Sequence, residues 1–175
     1  MGDLEIHDLI LERGHIRDKW SEISDTINVP KTIYDHQADT MALLLARKNV
    51  LCALPTGGGK TLAQLASVFV TGGTALVIPP LLTIEKQMSD ICQEWQIAFV
   101  NLSSFSDPNE IQLEVETKKP RIILASIEKI SDLRIQKGLV NVRLDYVALD
   151  EAQVCQFKIS TSKPSNPPVT HLPSF

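Results

Sequence analysis

A glycine-rich loop constrains the fold of this 175-residue chain more than any other stretch. The loop reads Leu-Pro-Thr-Gly-Gly-Gly-Lys-Thr over residues 54–61. It lies between an apolar run, residues 49–54, and a segment with apolar residues at helical spacing. This pattern predicts the order strand, loop, helix. Glycines allow the backbone to approach an anion closely, and the N-terminus of the following helix adds partial positive charge. The stretch therefore predicts a phosphate-binding loop.

Each residue type in the loop suits one part of a nucleotide. Backbone N–H groups would surround the phosphates, the lysine would reach the β- and γ-phosphates, and the threonine hydroxyl would bind Mg²⁺. The residues that we predict to do this are Thr56, Gly57, Gly58, Gly59, Lys60 and Thr61. The strict phosphate-loop pattern has a glycine where this chain has Leu54, so a glycine-rich turn with an incidental lysine is the alternative.

An acidic pair far downstream supplies the second half of such a site. Residues 144–149 form an apolar run that leads directly into Asp150 and Glu151. An aspartate at the end of a strand downstream of a phosphate loop holds Mg²⁺ in P-loop nucleoside triphosphatases. Glu151, beside it, is well placed to activate a water molecule. We predict Lys60 and Glu151 as catalytic residues, with Thr61 and Asp150 at the metal.

The remaining apolar runs predict the fold class. Strand candidates at residues 75–78, 97–102 and 121–125 alternate with helical patterns, which indicates an α/β domain. We expect a doubly wound parallel sheet with helices on both faces and ligands outside the carboxyl ends of its strands. Two short helices, broken near Gly14, are expected within residues 1–29, ahead of a lobe at residues 30–157. The proline- and serine-rich tail at residues 158–175 predicts disorder.

Composition narrows the environment and the partners. The net charge of −4 gives no overall basic surface, so nucleic-acid binding would have to be local. Cys52, Cys92 and Cys155 form no C-x-x-C pair, which argues against a zinc site or a disulfide framework and favours a reducing compartment. Without a signal-peptide pattern or a membrane-length apolar run, we expect a soluble protein of the nucleus or cytoplasm with no membrane partner.

Taken together, the motifs resemble the first RecA-like lobe of the RecQ-like superfamily 2 ATP-dependent DNA helicases over residues 30–157. The resemblance rests on Gln37, the loop at 54–61, and three later stretches at residues 77–87, 125–130 and 149–153. The last of these reads Asp-Glu-Ala-Gln in place of the family's Asp-Glu-Ala-His. The resemblance implies 3′-to-5′ unwinding coupled to ATP hydrolysis, ATP and Mg²⁺ as cofactors, and single-stranded or forked DNA as partner.

The resemblance also assigns roles to single residues. Gln37 would recognise the adenine, Asp150 would hold the metal, and Glu151 would polarise the attacking water. Gln153 would couple the nucleotide site to DNA. The residues implied to lie along the single-stranded DNA backbone are Pro80, Leu81 and Ser126.

Several departures from the family pattern leave other functions open. The arginine common shortly before the adenine-reading glutamine is replaced by Ile33 and Tyr34, and only Gln156 and Phe157 remain of an aromatic-rich loop. The arginines of a second lobe contribute roughly 10³ to 10⁵ in rate in P-loop systems, so the chain alone is expected to be a poor ATPase. The alternatives are a truncated nucleotide- or partner-binding module without catalysis, and a lobe similar to the DEAD-box RNA helicases. The oligomeric state is left open.

Overall fold

The computed structural model of the chain describes residues 6–55 and 57–151. In chain order its helices are α1 (Ile6–Thr26), α2 (Asp35–Leu45), α3 (Lys60–Thr71), α4 (Leu82–Glu94), α5 (Pro108–Lys118), α6 (Ile127–Ile130) and α7 (Leu133–Gly138). The strands are β1 (Ala75–Ile78), β2 (Phe99–Asn101), β3 (Ile122–Leu124) and β4 (Tyr146–Leu149), and a short 3₁₀ turn follows β2 at Leu102–Ser104.

The four strands form one parallel sheet in the order β2-β3-β1-β4. Strand β1 is central and pairs with both β3 and β4, so that Val77 lies beside Leu124 on one side and Ala148 on the other. Strands buried on both faces appear in a sequence as continuous apolar runs. The observed parallel sheet confirms the α/β fold class and places a strand within each of the four later apolar runs.

The sheet separates two apolar cores, because successive side chains in a strand point to opposite faces. Ala75 and Val77 of β1 pack into the larger core, whereas Leu76 and Ile78 pack into the smaller one. The larger core takes buried residues from α1, α2, α3 and α4, and the smaller core takes them from α5 and α7. Helices cover both faces, as predicted.

Residues 6–26 form one continuous helix, so the predicted break near Gly14 is wrong. A glycine inside a helix costs only about 1 kcal/mol. Ile16 and Trp20, 2% and 1% exposed, anchor the helix in the larger core. Arg13 adds an ion pair with Asp39 of α2 at 2.6 Å. Packing therefore outweighs the local preference of the glycine. The boundary at residue 30 stays a prediction, as does disorder in residues 158–175, which lie outside the described residues.

The strand predicted at residues 49–54 is not formed. This segment has no regular secondary structure, and Leu51 is 90% exposed. Within the described residues, β4 is accordingly an edge strand, with Val147 and Leu149 about half exposed. A β-strand forms only when its backbone hydrogen-bonds to an adjacent strand. An apolar run in the sequence does not specify which strand that is. The run predicted a strand on composition, but its residues line a cavity beside β4 without pairing with that strand.

Two further observations bear on the predicted environment. Burial raises the pKa of the Cys92 thiol to about 12, so this residue is a neutral core side chain at physiological pH.

Among the helices of the described ranges, none combines the length and apolar character needed to cross a bilayer.

Candidate functional site

The glycine loop is shaped by left-handed backbone conformations that suit glycine. Gly57 and Gly59 have φ of 80° and 76°. A Cβ at Gly59 would lie 2.2 Å from Nε2 of Gln37 and would displace that amide from its contact with the loop. The N–H of Gly58 donates to the carbonyl of Pro55 at 3.0 Å, which closes a tight turn. The loop then enters α3 at Lys60. Thr56 lies outside the described residues.

The two halves of the predicted site lie together in the fold. Lys60 Nζ lies 3.5 Å from Oε1 of Glu151 and donates to the carbonyl of Leu54 at 3.4 Å. Asp150 directly follows β4, and its N–H donates to the carbonyl of Ile78 at 3.1 Å. The Glu151 N–H donates to Oδ1 of Asp150 at 3.1 Å. Residues 91 positions apart in sequence are thus brought to one edge of the sheet.

A cavity of about 530 Å³ adjoins these charged residues. Lys60, Asp150 and Glu151 line it together with residues 50–54, α2, α3 and β4. Gln64 of α3 also lines it, and the buried Oε1 of that side chain has no hydrogen-bond partner. The cavity therefore combines apolar walls with a cation and two carboxylates.

Helix α2 is attached to the glycine loop by two neighbouring side chains. Gln37, 3% exposed, donates from Nε2 to the Gly59 carbonyl at 3.1 Å, and its Oε1 accepts from the Tyr34 N–H at 2.8 Å. His36 Nε2 lies 2.9 Å from the Gly58 carbonyl oxygen. The Tyr34 ring stacks on His36, with centroids 5.5 Å apart and an interplanar angle of 18°. Sequence reasoning selected Gln37 and missed His36, although it directly precedes Gln37.

Residues implied to contact nucleic acid follow two neighbouring strands at the same edge of the sheet. Pro80 and Leu81 come after β1, and Leu81 is 61% exposed at the N-terminus of α4. Ser126 follows β3 and caps α6 by accepting from the Lys129 N–H at 3.2 Å. Because β1 pairs with both β3 and β4, these residues and Asp150 share the carboxyl edge of the sheet. Gln153 lies outside the described residues.

The residues present suit a magnesium ion that a phosphate group helps to hold. In the described parts of the chain, no cluster of three or more His, Cys, Asp or Glu side chains could hold a metal alone. Mg²⁺ at nucleotide sites usually takes one or two carboxylates together with phosphate oxygens and water. Asp150, at the end of β4 and on the wall of the same cavity as Lys60, provides such a carboxylate.

Comparison with known proteins identifies the family. The family model for DEAD/DEAH box helicases matches residues 34–163, which include the loop, β4 and the acidic pair. The chain belongs to the DEAD/DEAH box helicase family. Family membership agrees with the parallel sheet and with the positions of both motifs at its carboxyl edge.

Individual relatives place the resemblance within that family. The chain is 30% identical over 129 residues to ATP-dependent DNA helicase Q1 of Rattus norvegicus, covering 68% of this chain and 21% of the relative. It is 28% identical over 110 residues to ATP-dependent DNA helicase RecQ of Bacillus subtilis, covering 61% of this chain and 19% of the relative. The resemblance to RecQ-like helicases is confirmed, and the chain spans about a fifth of the length of these two relatives.

Proposed function

We propose that this chain is the ATP-binding lobe of a RecQ-like DNA helicase, with ATP and Mg²⁺ as ligands and single-stranded or forked DNA as partner. In the intact family architecture, this lobe would couple ATP hydrolysis to 3′-to-5′ unwinding. Family membership supports the helicase lobe, and the two relatives, both ATP-dependent DNA helicases by name, favour DNA over RNA. The proposal covers the residue roles as well as the activity.

The contact between Lys60 and Glu151 is the observation that carries the proposal. It joins the glycine loop to the acidic pair, with 3.5 Å between Nζ and Oε1. An anion entering the loop would attract Lys60 more strongly than one carboxylate does, because a triphosphate carries several negative charges. Lys60 would then turn from Glu151 towards the phosphates.

Each group has a defined task in this proposal. The N–H groups of the loop and the Lys60 ammonium bind the phosphates, and Thr61 and Asp150 hold Mg²⁺. When bound there, Mg²⁺ would supply positive charge that offsets the negative charge of the phosphates. Glu151 orients a water molecule in line with the γ-phosphate and accepts its proton. Gln37 is assigned to the adenine by the resemblance, and its buried amide, bonded to the Gly59 carbonyl and the Tyr34 N–H, would have to exchange one of these partners for the base. Gln153 couples the site to DNA. The residues assigned to the DNA backbone are Pro80, Leu81 and Ser126.

Turnover by the chain alone is expected to be low. Among the described residues that line the cavity, Lys60 is the only cation. Stabilising the charge of the transition state in P-loop enzymes commonly takes an additional arginine. Titration calorimetry with Mg²⁺ and a non-hydrolysable ATP analogue should therefore show binding, and an ATPase assay should show slow turnover that single-stranded DNA increases. Greater stimulation by RNA than by DNA would favour an RNA helicase lobe instead.

Replacing Glu151 with glutamine separates binding from hydrolysis. Glu151→Gln removes the carboxylate that accepts the proton, so hydrolysis should fall about 100-fold or to background in single-turnover assays. Affinity for the ATP analogue should stay the same or rise up to severalfold, because Lys60 loses a competing ion pair. Glu116→Gln on the exposed face of α5 is the matched control, with both quantities unchanged. Hydrolysis at the wild-type rate in Glu151→Gln would exclude Glu151 as the base.

A further inference from the structure

Two consecutive carbonyl groups of the glycine loop accept hydrogen bonds from two consecutive side chains of α2. His36 Nε2 lies 2.9 Å from the oxygen of Gly58, and Gln37 Nε2 donates to the oxygen of Gly59 at 3.1 Å. A carbonyl oxygen can only accept, so Nε2 of His36 is the donor in this contact. Side chains of α2 therefore fix the direction of two successive peptide groups in the loop.

The direction of those carbonyls determines where the N–H groups point. In a trans peptide the C=O of one residue and the N–H of the next point in opposite directions, and no peptide bond in the described residues is cis. With the oxygens of Gly58 and Gly59 turned towards α2, the N–H groups of Gly59 and Lys60 point away from it. Successive N–H groups directed to one side of a glycine turn form a concave anion site.

The imidazole itself is held in place by its surroundings. The Tyr34 ring lies against it at 5.5 Å between centroids, nearly parallel. Next to it, Gln37 is buried and its side chain caps the start of α2 by accepting from the Tyr34 N–H. A side chain that is already ordered by packing loses little further conformational entropy when it donates a hydrogen bond to the loop.

We propose that His36 is a positioning residue that holds the glycine loop in its phosphate-receptive conformation before any nucleotide binds. The inference rests on the proposed function, because it concerns the same phosphate site. It predicts that the Nε2–H of His36 contributes to polyphosphate affinity without touching the phosphate. The contribution is independent of the base, so it extends to inorganic tripolyphosphate.

The test compares three proteins in titrations with Mg²⁺ and two ligands, a non-hydrolysable ATP analogue and inorganic tripolyphosphate. His36→Ala should weaken both ligands by about threefold to tenfold, the range that one side chain–backbone hydrogen bond contributes. His36→Gln keeps an N–H donor at similar reach and should restore affinity to within about twofold of the wild type. His15→Ala, on the exposed face of α1, is the control and should change neither affinity.

A second measurement separates positioning from general stability. The ¹⁵N–¹H NMR signal of Gly59 in the ligand-free protein should shift in His36→Ala and return towards its wild-type position in His36→Gln. Equal affinities of His36→Ala and wild type, or a failure of His36→Gln to rescue a weakened His36→Ala, would overturn the inference while the proposed function stands. Absence of binding of both ligands to the wild type would overturn the proposed function and the inference with it.

Discussion

Replacing Lys60 with alanine is expected to weaken binding of a non-hydrolysable Mg²⁺–ATP analogue by roughly 10- to 100-fold, the range for one hydrogen bond to a charged group. Lys60 begins α3 at the end of the glycine loop, and its ammonium is half-buried at the cavity wall. Nothing else lining that cavity in the described residues carries a positive charge. Calorimetric titration of purified wild type and variant gives the two dissociation constants directly.

The control for this result is a lysine outside the site that also forms an ion pair with a glutamate. Lys118 pairs with Glu114 on the surface of α5, and Lys118→Ala should leave the affinity within about twofold of the wild type. A circular dichroism melt of Lys60→Ala should also match the wild type closely, because its side chain is part-exposed. Wild-type affinity in Lys60→Ala would contradict the assignment of Lys60 to phosphate binding.

Replacing Trp20 with alanine is expected to lower the free energy of unfolding by about 3–5 kcal/mol. Trp20 is 1% exposed, packs edge-on against Phe69 of α3 at 6.5 Å, and donates from Nε1 to the Pro30 carbonyl at 2.9 Å. The variant loses this apolar volume and leaves a carbonyl without its donor. Urea unfolding followed by circular dichroism measures the change.

This second prediction tests whether α1 belongs to the same folding unit as the glycine loop. Leu113→Ala on α5, a position that is 66% exposed, should change the stability by less than about 0.5 kcal/mol. A loss below about 1 kcal/mol in Trp20→Ala would mean that α1 does not stabilise the lobe. A large loss places the N-terminal helix in the core on which α3, and therefore the loop, is packed.

How far the sequence predicts the fold depends on the range of the interactions. Residues 75–78 and 146–149 were predictable as strands because both are short apolar runs, and the first is buried throughout at the centre of the sheet. Residues 49–54 have a similar composition, yet no strand forms there, because pairing depends on a neighbour that the run does not encode. The continuity of α1 through Gly14 likewise depends on the contacts of Trp20 with Pro30 and Phe69, which lie outside α1 in the sequence.

The residues of the site also fall into two groups, those with a local sequence pattern and those placed by long-range contacts. Lys60 and Glu151 were predictable because each follows a local pattern, and parallel strands bring both patterns to one edge of the sheet. The contact between His36 and Gly58 joins residues 22 positions apart, and a lone histidine before a helix carries no local signal for it. Sequence patterns thus selected two groups that the structure brings together, and their roles stay predictions, whereas the contacts of α2 with the loop required coordinates.

The dependence of nucleotide affinity on Mg²⁺, measured in the wild type and in Asp150→Asn, tests the central claim that the loop and the acidic pair form one nucleotide site. Calorimetric titrations with the non-hydrolysable ATP analogue are run in Mg²⁺ and in EDTA. The account predicts at least about tenfold tighter binding of the wild type in Mg²⁺, and a variant that loses most of this difference. An Mg²⁺ effect of wild-type size in Asp150→Asn, or wild-type binding that is equal in Mg²⁺ and EDTA, would contradict it.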